Sequence, residues 1–465
     1  LKTKITIEDS VVCKVISGDI NDIYHALSYT QTLWLKEIIW GEKNGKKIKL
    51  GTKRKPKIVN KSYFNKRTKE FYSGFLNRIR KLKNTEIEES VLNIKTKYPK
   101  LKGIVFRDYQ KKAIRRAVKF KRGVLEHPTG SGKGVILLGI ASAIKGNTLI
   151  LCHSLDIVNQ IYVDSVKFGF KNPVVLGGKN KPWKKNGELV ISTIQTFSKI
   201  DFEDHYDYFN CIIVDEVHFI SKTYKNFLEL SLAEVRIGLT ATVPKDPERR
   251  LLIEGLIGPI IDKFSNKDAE KKKILSKPTV RIITVPPVVI PKYKYSDIYD
   301  IGIINNEVRN KIIVDICIYL NNKNKSCLVL IKNIKHGELL QQIFQQEGLK
   351  VPFVQGSSNS DTRGLMKQKL SEKRQKIIIA TVVWLTGINI PSLDCIFYAL
   401  SGLSEIRTIQ SCGRCLRKTD TKNTATIYDL LDNDTSVNGK SYLYNHSKTR
   451  IRTYRKQGWK IIKEK

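Results

Sequence analysis

Between residues 101 and 275, short apolar runs alternate with longer segments whose apolar residues recur at helical spacing. A short continuous apolar run fits a strand buried on both faces, and the 3.6-residue period fits a helix laid over it. The alternation therefore predicts a parallel sheet covered by helices. The runs are GVLEH, NTLILCHS, ELVISTI, CIIVDE and RIGLTAT. After a polar, Lys-rich stretch from Lys267 to Lys277 a second series begins, with SCLVLIK, VPFVQG, KIIIAT, DCIFYAL and TATIYDLL. The chain thus reads as two tandem α/β domains, residues 101–276 and 277–432.

The flanks differ from both. Residues 1–100 begin with strand-like ITIEDSVVCKVIS and carry a basic middle from Lys43 to Lys83, interleaved with Tyr63, Phe64, Phe71, Tyr72 and Phe75. They read as a separate small α+β DNA-binding module, whose basic residues suit phosphate contacts and whose aromatic residues suit either a small core or a wedge against bases. Residues 433–465, with Tyr442, Tyr444, Tyr454 and Trp459 among Lys and Arg, read as a short helical tail. No solenoid-type repeat is present.

Composition narrows the partners. Of 465 residues, 83 are Lys or Arg and 44 are Asp or Glu, a formal charge of +39, so the chain is drawn to polyanions. Part of the Lys excess fits an AT-rich coding bias, which leaves the charge in place. Nucleic acid is favoured over an anionic membrane because no amphipathic basic helix dominates. No apolar run reaches the ~18 residues of a membrane span and the first residues lack a signal-peptide core, so a cytoplasmic protein is expected. Eight scattered Cys read as reduced. Cys412 and Cys415 have CxxC spacing without a second pair to complete a zinc site.

The chemistry concentrates at strand ends. GVLEHPTGSGKGVILLGIASAIK runs from a strand through a glycine-rich turn into a helix, the architecture of a phosphate loop. Thr129, Gly130, Ser131 and Gly132 would turn backbone N–H groups to an anion at a helix N-terminus, and Lys133 would reach the outer phosphates. His127 stands where Gly or Ala is usual, and Gly134 stands where Ser or Thr normally gives Mg²⁺ a hydroxyl. Some eighty residues on, the strand CIIV ends in Asp215, Glu216, Val217 and His218. Asp215 would hold Mg²⁺, directly or through water, and Glu216 would orient and deprotonate the attacking water of ATP hydrolysis. The plainer reading is a solvated turn, but a strand core rarely ends in adjacent carboxylates without use.

These motifs together resemble superfamily 2 helicases, and the likeness runs from Phe106 to Asp432. It implies two tandem RecA-like motor domains, with ATP and Mg²⁺ as cofactors. FRDYQ is similar to the adenine-recognition motif, which places Arg107 and Gln110 near the base. GLTAT resembles the motif that couples nucleotide state to nucleic-acid grip, through Thr240 and Thr242 with His218. ATVVWLTGINIP resembles motif V, including Gly387, and QSCGRCLR resembles motif VI. The latter implies Gln410, Arg414 and Arg417 as catalytic residues, the arginines meeting transition-state charge. Surface arginines on a basic helix are the alternative, which predicts no fixed spacing to Gln and Gly. Matching positions imply His153, Thr193, Gln195, Lys332 and Thr381 as nucleic-acid contacts, although a buried Thr or salt-bridged Lys is a common fate for such residues.

IKHGELL, DTRGLMK, TGINI and GRCLRKTDTKNTATIYDLLDN resemble the UvsW-type branch-migrating helicases of bacteriophages. The expectation is an ATP-dependent DNA motor that remodels forks, junctions, displacement loops or R-loops in replication, recombination or repair. An RNA helicase, a restriction-enzyme motor subunit and a DNA-binding clamp with impaired hydrolysis stay open, the last because of Gly134.

Overall fold

The computed structural model describes residues 2–43, 46–88, 94–176, 188–200, 207–272, 274, 277–290, 294–358, 360–381, 393–402, 424–436 and 441–464. It divides into two compact units, one of residues 1–126, 134–155 and 161–263, the other of residues 127–133, 156–160 and 264–465.

The N-terminal run ITIEDSVVCKVIS folds as two strands, β1 (Thr3–Ile7) and β2 (Val12–Ser17), paired antiparallel. The Asp9 carboxylate makes the turn by accepting from the Val11 and Val12 amides at 2.5 and 2.7 Å. Strands β3 (Ser28–Lys43) and β4 (Lys46–Ser62) form a long antiparallel ribbon that sequence reading did not anticipate. Its basic residues hid the alternation that marks a strand. Two further strands, β5 (Glu70–Tyr72) and β6 (Thr85–Ile87), complete a small sheet in the order β5-β2-β1-β6. Phe64, Phe71 and Phe75 are buried in its core with Ile5, Cys13 and Val15. Tyr63 and Tyr72 stack among them, so the aromatic residues build a core and not a wedge against bases.

This sheet is fitted closely to helix Pro247–Leu256. A Cβ on Gly74 would collide with the carbonyls of Glu254 and Gly255, so only glycine allows the two backbones to approach so closely. Arg78 grips Glu254 with two hydrogen bonds of 2.9 and 2.6 Å, and the Tyr72 hydroxyl donates to Glu229.

The first large sheet holds β7 (Arg122–Glu126), β8 (Thr148–Cys152), β9 (Val174–Leu176), β10 (Leu189–Thr193), β11 (Cys211–Asp215), β12 (Val235–Thr240) and β13 (Ile260–Lys263). Its order is β13-β7-β12-β11-β8-β10-β9, and every pairing is parallel. β8, β10 and β12 are buried along their whole lengths, as expected of strands covered on both faces. A cation lies inside as well: Arg236 of β12 is fully buried and donates to the carbonyls of Leu228, Ser231, Ala233 and Leu256. It ties β12 to helices Lys222–Leu230 and Pro247–Leu256.

The second sheet repeats the plan. Its strands are β14 (Lys277–Thr284), β16 (Cys327–Ile331), β17 (Phe353–Val354), β18 (Ile377–Thr381), β19 (Cys395–Tyr398), β20 (Thr424–Leu431) and β22 (Lys460–Glu464). They lie in the order β17-β18-β16-β19-β20-β14-β22, all parallel, while β15 (Val288–Ile290) pairs separately with β21 (Asp434–Ser436). The two tandem parallel-sheet domains expected from the apolar runs are therefore present.

The C-terminal tail proves to be more than a helix. Helix Tyr442–Lys456 is followed by β22, which adds an edge strand beside β14. Its sequence, KIIKE, is too short and too charged to announce a strand. The helix is locked down by Arg450, which reaches Asp429 at 2.9 Å inside the protein, while Tyr454 donates to the same carboxylate at 2.7 Å. Asp432, nearby, takes Arg309 at 2.8 Å.

All six cysteines among the described residues are buried, and none of them is in a disulfide. No helix among them is long and apolar enough to cross a membrane.

Removing one partner of a buried ion pair strands the other charge, whereas replacing both with apolar groups of similar size costs far less. Arg450→Ala should therefore lower unfolding free energy by about 3–5 kcal/mol. The double variant Arg450→Met with Asp429→Leu should recover most of that. Urea titration followed by tryptophan fluorescence measures both, since Trp459 stacks on Tyr454 at 5.6 Å. Equal losses in the two variants would mean that packing, and not charge, fixes the helix.

Candidate active site

Because every strand of the first sheet runs the same way, all of their C-terminal ends lie along one edge. The loop 127–132 comes after β7 there, and helix Lys133–Ala143 begins immediately beyond it. Gly130 and Gly132 take φ of +87° and +79°, a backbone that side-chain-bearing residues rarely adopt. The Ser131 hydroxyl donates to the Pro128 carbonyl at 2.8 Å, which tightens the turn. The Lys133 amine lies 3.5 Å from the His127 carbonyl, at the long limit of a hydrogen bond.

This loop fits a phosphate. Thr129 is 8% exposed, and its buried hydroxyl has no hydrogen-bond partner among the described residues. Gly134, at the helix start, has nothing within 4 Å of where a Cβ would stand. A backbone-lined cradle with a waiting hydroxyl and open space beside it suits an anion.

Arg107 and Gln110 open helix Asp108–Phe120, where the Gln110 side-chain oxygen accepts the Arg107 amide at 2.9 Å. That oxygen is spent on the helix end, so the amide NH₂ is the group Gln110 can offer to a base. Arg107 also reaches the Tyr109 hydroxyl at 3.4 Å.

At the end of β11 the acids occupy an unusual backbone. Asp215 is the last strand residue, and Glu216 takes φ +50° and ψ +53°, left-handed for a residue other than glycine. Such a conformation costs free energy, of order 1–3 kcal/mol, and persists where surroundings over-determine it. Here the surroundings are a short turn, Val217–Phe219, and the ring of His218.

His218 Nδ1 lies 2.9 Å from Thr240 Oγ1 and 3.3 Å from Glu216 Oε2. The Thr240 hydroxyl donates its proton to the Thr242 carbonyl at 3.0 Å and accepts the Thr242 amide at 3.2 Å. Its remaining lone pair, and the Glu216 carboxylate, can only accept. A proton on His218 Nδ1 therefore suits both neighbours, and this is the tautomer they favour. The three positions named from DEVH and GLTAT are joined in one hydrogen-bonded set.

Among the expected nucleic-acid contacts, His153 comes directly after β8 and lies half-buried with its ring 4.6 Å from Phe219. Thr193 caps helix Ile194–Phe197, with its hydroxyl engaged with Thr196, while Gln195 is exposed. Lys332, just after β16, is exposed with its amine over the rings of Tyr295 and Tyr299 at 5.7 and 5.0 Å. Thr381 ends β18, 6% exposed, with a hydroxyl that finds no partner among the described residues. Gly387, Gln410, Arg414 and Arg417 lie outside the described residues. Sequence reading missed Phe219, although it stands directly after the DEVH acids.

The family model described as "Type III restriction enzyme, res subunit" matches residues 103–245. The model described as "Helicase conserved C-terminal domain" matches residues 308–419. With the two in tandem, the chain belongs to superfamily 2 and is an ATP-dependent helicase with RecA-like domains. Among its relatives is the ATP-dependent DNA helicase uvsW of Enterobacteria phage T4, 26% identical over 381 residues, which are 74% of each chain. Another is the DNA 3'-5' translocase XPB2 of Sulfurisphaera tokodaii, 25% identical over 377 residues, covering 73% of this chain and 84% of that one. A fragment of an HsdR subunit of a type I restriction enzyme from Vibrio vulnificus shares the fold at a TM-score of 0.56, with 15% identity over 89% of this chain and 94% of that one.

Thr240→Val keeps the shape of the side chain and removes its oxygen. It should leave the His218 Nδ1 proton and the Thr242 amide short of an acceptor, at a cost of about 1–3 kcal/mol. An unchanged denaturation midpoint would show that the hydroxyl accepts neither.

Proposed function

We propose that the chain hydrolyses ATP at the C-terminal edge of its first sheet to drive movement on duplex or branched DNA, remodelling forks, junctions, displacement loops or R-loops. The observation that carries the hydrolysis reading is Glu216, held in a left-handed conformation with its Oε2 3.3 Å from His218 Nδ1. A carboxylate fixed in this way cannot swing freely, which suits a group that must orient one water and take its proton. Lys133 and the loop 129–132 hold the phosphates, and Arg107 and Gln110 flank the base. Arg414 and Arg417, with Gln410, meet the charge that gathers in the transition state, and Gly387 belongs to the coupling set with His218, Thr240 and Thr242.

Mg²⁺, when bound, would neutralise phosphate charge. Asp215 would hold it, directly or through water, and Gly134 gives it no hydroxyl. That DNA is the track is supported by the names of the two relatives, a DNA helicase and a DNA translocase, and by the charge of +39. The ribbon β3–β4 adds to this, with ten Lys and Arg against two Glu between residues 28 and 62. His153, Gln195 and Lys332 are the exposed or half-exposed contacts favoured for the backbone, with Thr193 and Thr381 reached from the same strand edges. The cytoplasm is where the chain would do this work, the host's cytoplasm if it is phage-encoded.

Glu216→Gln should retain ATP and DNA binding while turnover falls by at least about a hundredfold, the usual worth of general-base catalysis. Measuring ATP turnover with no nucleic acid, linear duplex, a four-way junction and structured RNA tests both halves of the proposal. Strongest stimulation by the junction is expected. Equal or greater stimulation by RNA would overturn the DNA assignment, and wild-type turnover in Glu216→Gln would overturn the catalytic one.

Gly134→Thr fits the open space at that position and should lower the Mg²⁺ concentration giving half-maximal ATPase, because a hydroxyl ligand is added. A rise in that concentration, with the fold intact, would show that another group already fills the place.

A further inference from the structure

Phe219 is a large apolar side chain left 43% exposed on the functional edge of the first sheet. It is not needed to anchor its turn. Val217 does that, fully buried against β12, where Gly238 makes room: a Cβ on Gly238 would lie 3.1 Å from the Val217 side chain. Phe219 instead packs between two histidines, with its ring 4.1 Å from that of His218 and 4.6 Å from that of His153.

The sheet order explains the arrangement. β11 lies between β8 and β12, so the turn after β11 faces His153 on one side and Thr240 on the other. His218 reaches towards β12, and Phe219 towards β8. The Phe219 amide also donates to the Glu216 carbonyl at 2.9 Å, closing the turn that holds Glu216 left-handed. A shift of the Phe219 ring is thus passed to Glu216 by two routes, through the backbone of this turn and through the His218 ring.

We propose that Phe219 is a positioning residue that couples occupancy of the nucleic-acid edge to the alignment of Glu216. This rests on the reading of Glu216 as the group that activates water. The exposed ring face is a surface on which a base or sugar can stack whatever the sequence, since every base presents a π-face. Nucleic acid lying against His153 and Phe219 presses the ring towards His218. The Glu216 carboxylate is then held in the position that orients water. Without that contact the strained turn relaxes more often, and hydrolysis slows.

The test compares wild type, Phe219→Ala, Phe219→Leu, Phe219→Tyr and Glu216→Gln in ATP turnover, with and without a forked DNA duplex of mixed sequence. Phe219→Ala should reduce the ratio of stimulated to basal turnover about tenfold, within the usual range for coupled sites, with little change in melting temperature. Phe219→Tyr, which keeps the ring, should recover most of the ratio. Phe219→Leu, which keeps apolar bulk without a ring, should not, and it serves where the alanine variant fails to fold. A wild-type ratio in Phe219→Leu, or a loss shared equally by basal and stimulated turnover, would overturn the proposal. Lost turnover in Glu216→Gln beside full stimulation in Phe219→Ala would overturn the coupling alone. Retained turnover in Glu216→Gln would overturn the hydrolysis reading and this inference with it.

Discussion

The pairing of β11 between β8 and β12 is the constraint on which the site depends. Parallel strands must all finish at the same edge, and a sheet covered on both faces has only its edges to offer to solvent. Three segments distant in the chain, ending at Cys152, Asp215 and Thr240, are thereby brought side by side. The residues leaving each strand end then have few ways to satisfy their polar groups. His218 bonds across to Thr240, Phe219 packs across to His153, and Glu216 is held in a conformation it would not choose alone.

Positive charge is divided between the surface and the interior. The excess of Lys and Arg suggests polyanion binding, yet several arginines are internal fixtures. Arg236 is held wholly by carbonyl groups, and Arg309 and Arg450 by buried carboxylates. Arg122 belongs with them: it donates to the Ser73 hydroxyl and the Ser10 carbonyl, and burial pulls its guanidinium down to about 10. Each stitches elements that would otherwise leave carbonyls or carboxylates unsatisfied. The charge left for a polyanion is therefore that of the exposed lysines, and net charge alone could not have separated the two groups.

The N-terminal region shows how composition can suggest two roles at once. Aromatic residues among lysines would serve a core or a wedge equally well on paper. In the fold Phe64, Phe71 and Phe75 are buried, and Tyr72 and Tyr63 are committed to Glu229 and the Glu248 carbonyl. The close fit at Gly74 then makes this sheet part of the same compact unit as the first motor sheet.

By itself the sequence determined the two parallel sheets, the glycine-rich turn after β7 and the pair of acids at the end of β11. Those features are local: an apolar run long enough for a buried strand, a glycine pair where φ must be positive, two carboxylates at a strand end. It did not disclose β22, whose five residues become a strand only because β14 offers an unpaired edge. Nor did it disclose the ribbon β3–β4, in which basic residues mask the two-residue period. The tautomer of His218, the left-handed Glu216 and the place of Phe219 between two histidines were decided by tertiary structure alone. Each depends on groups far apart in the chain that only the pairing of β8, β11 and β12 brings within hydrogen-bonding or packing distance.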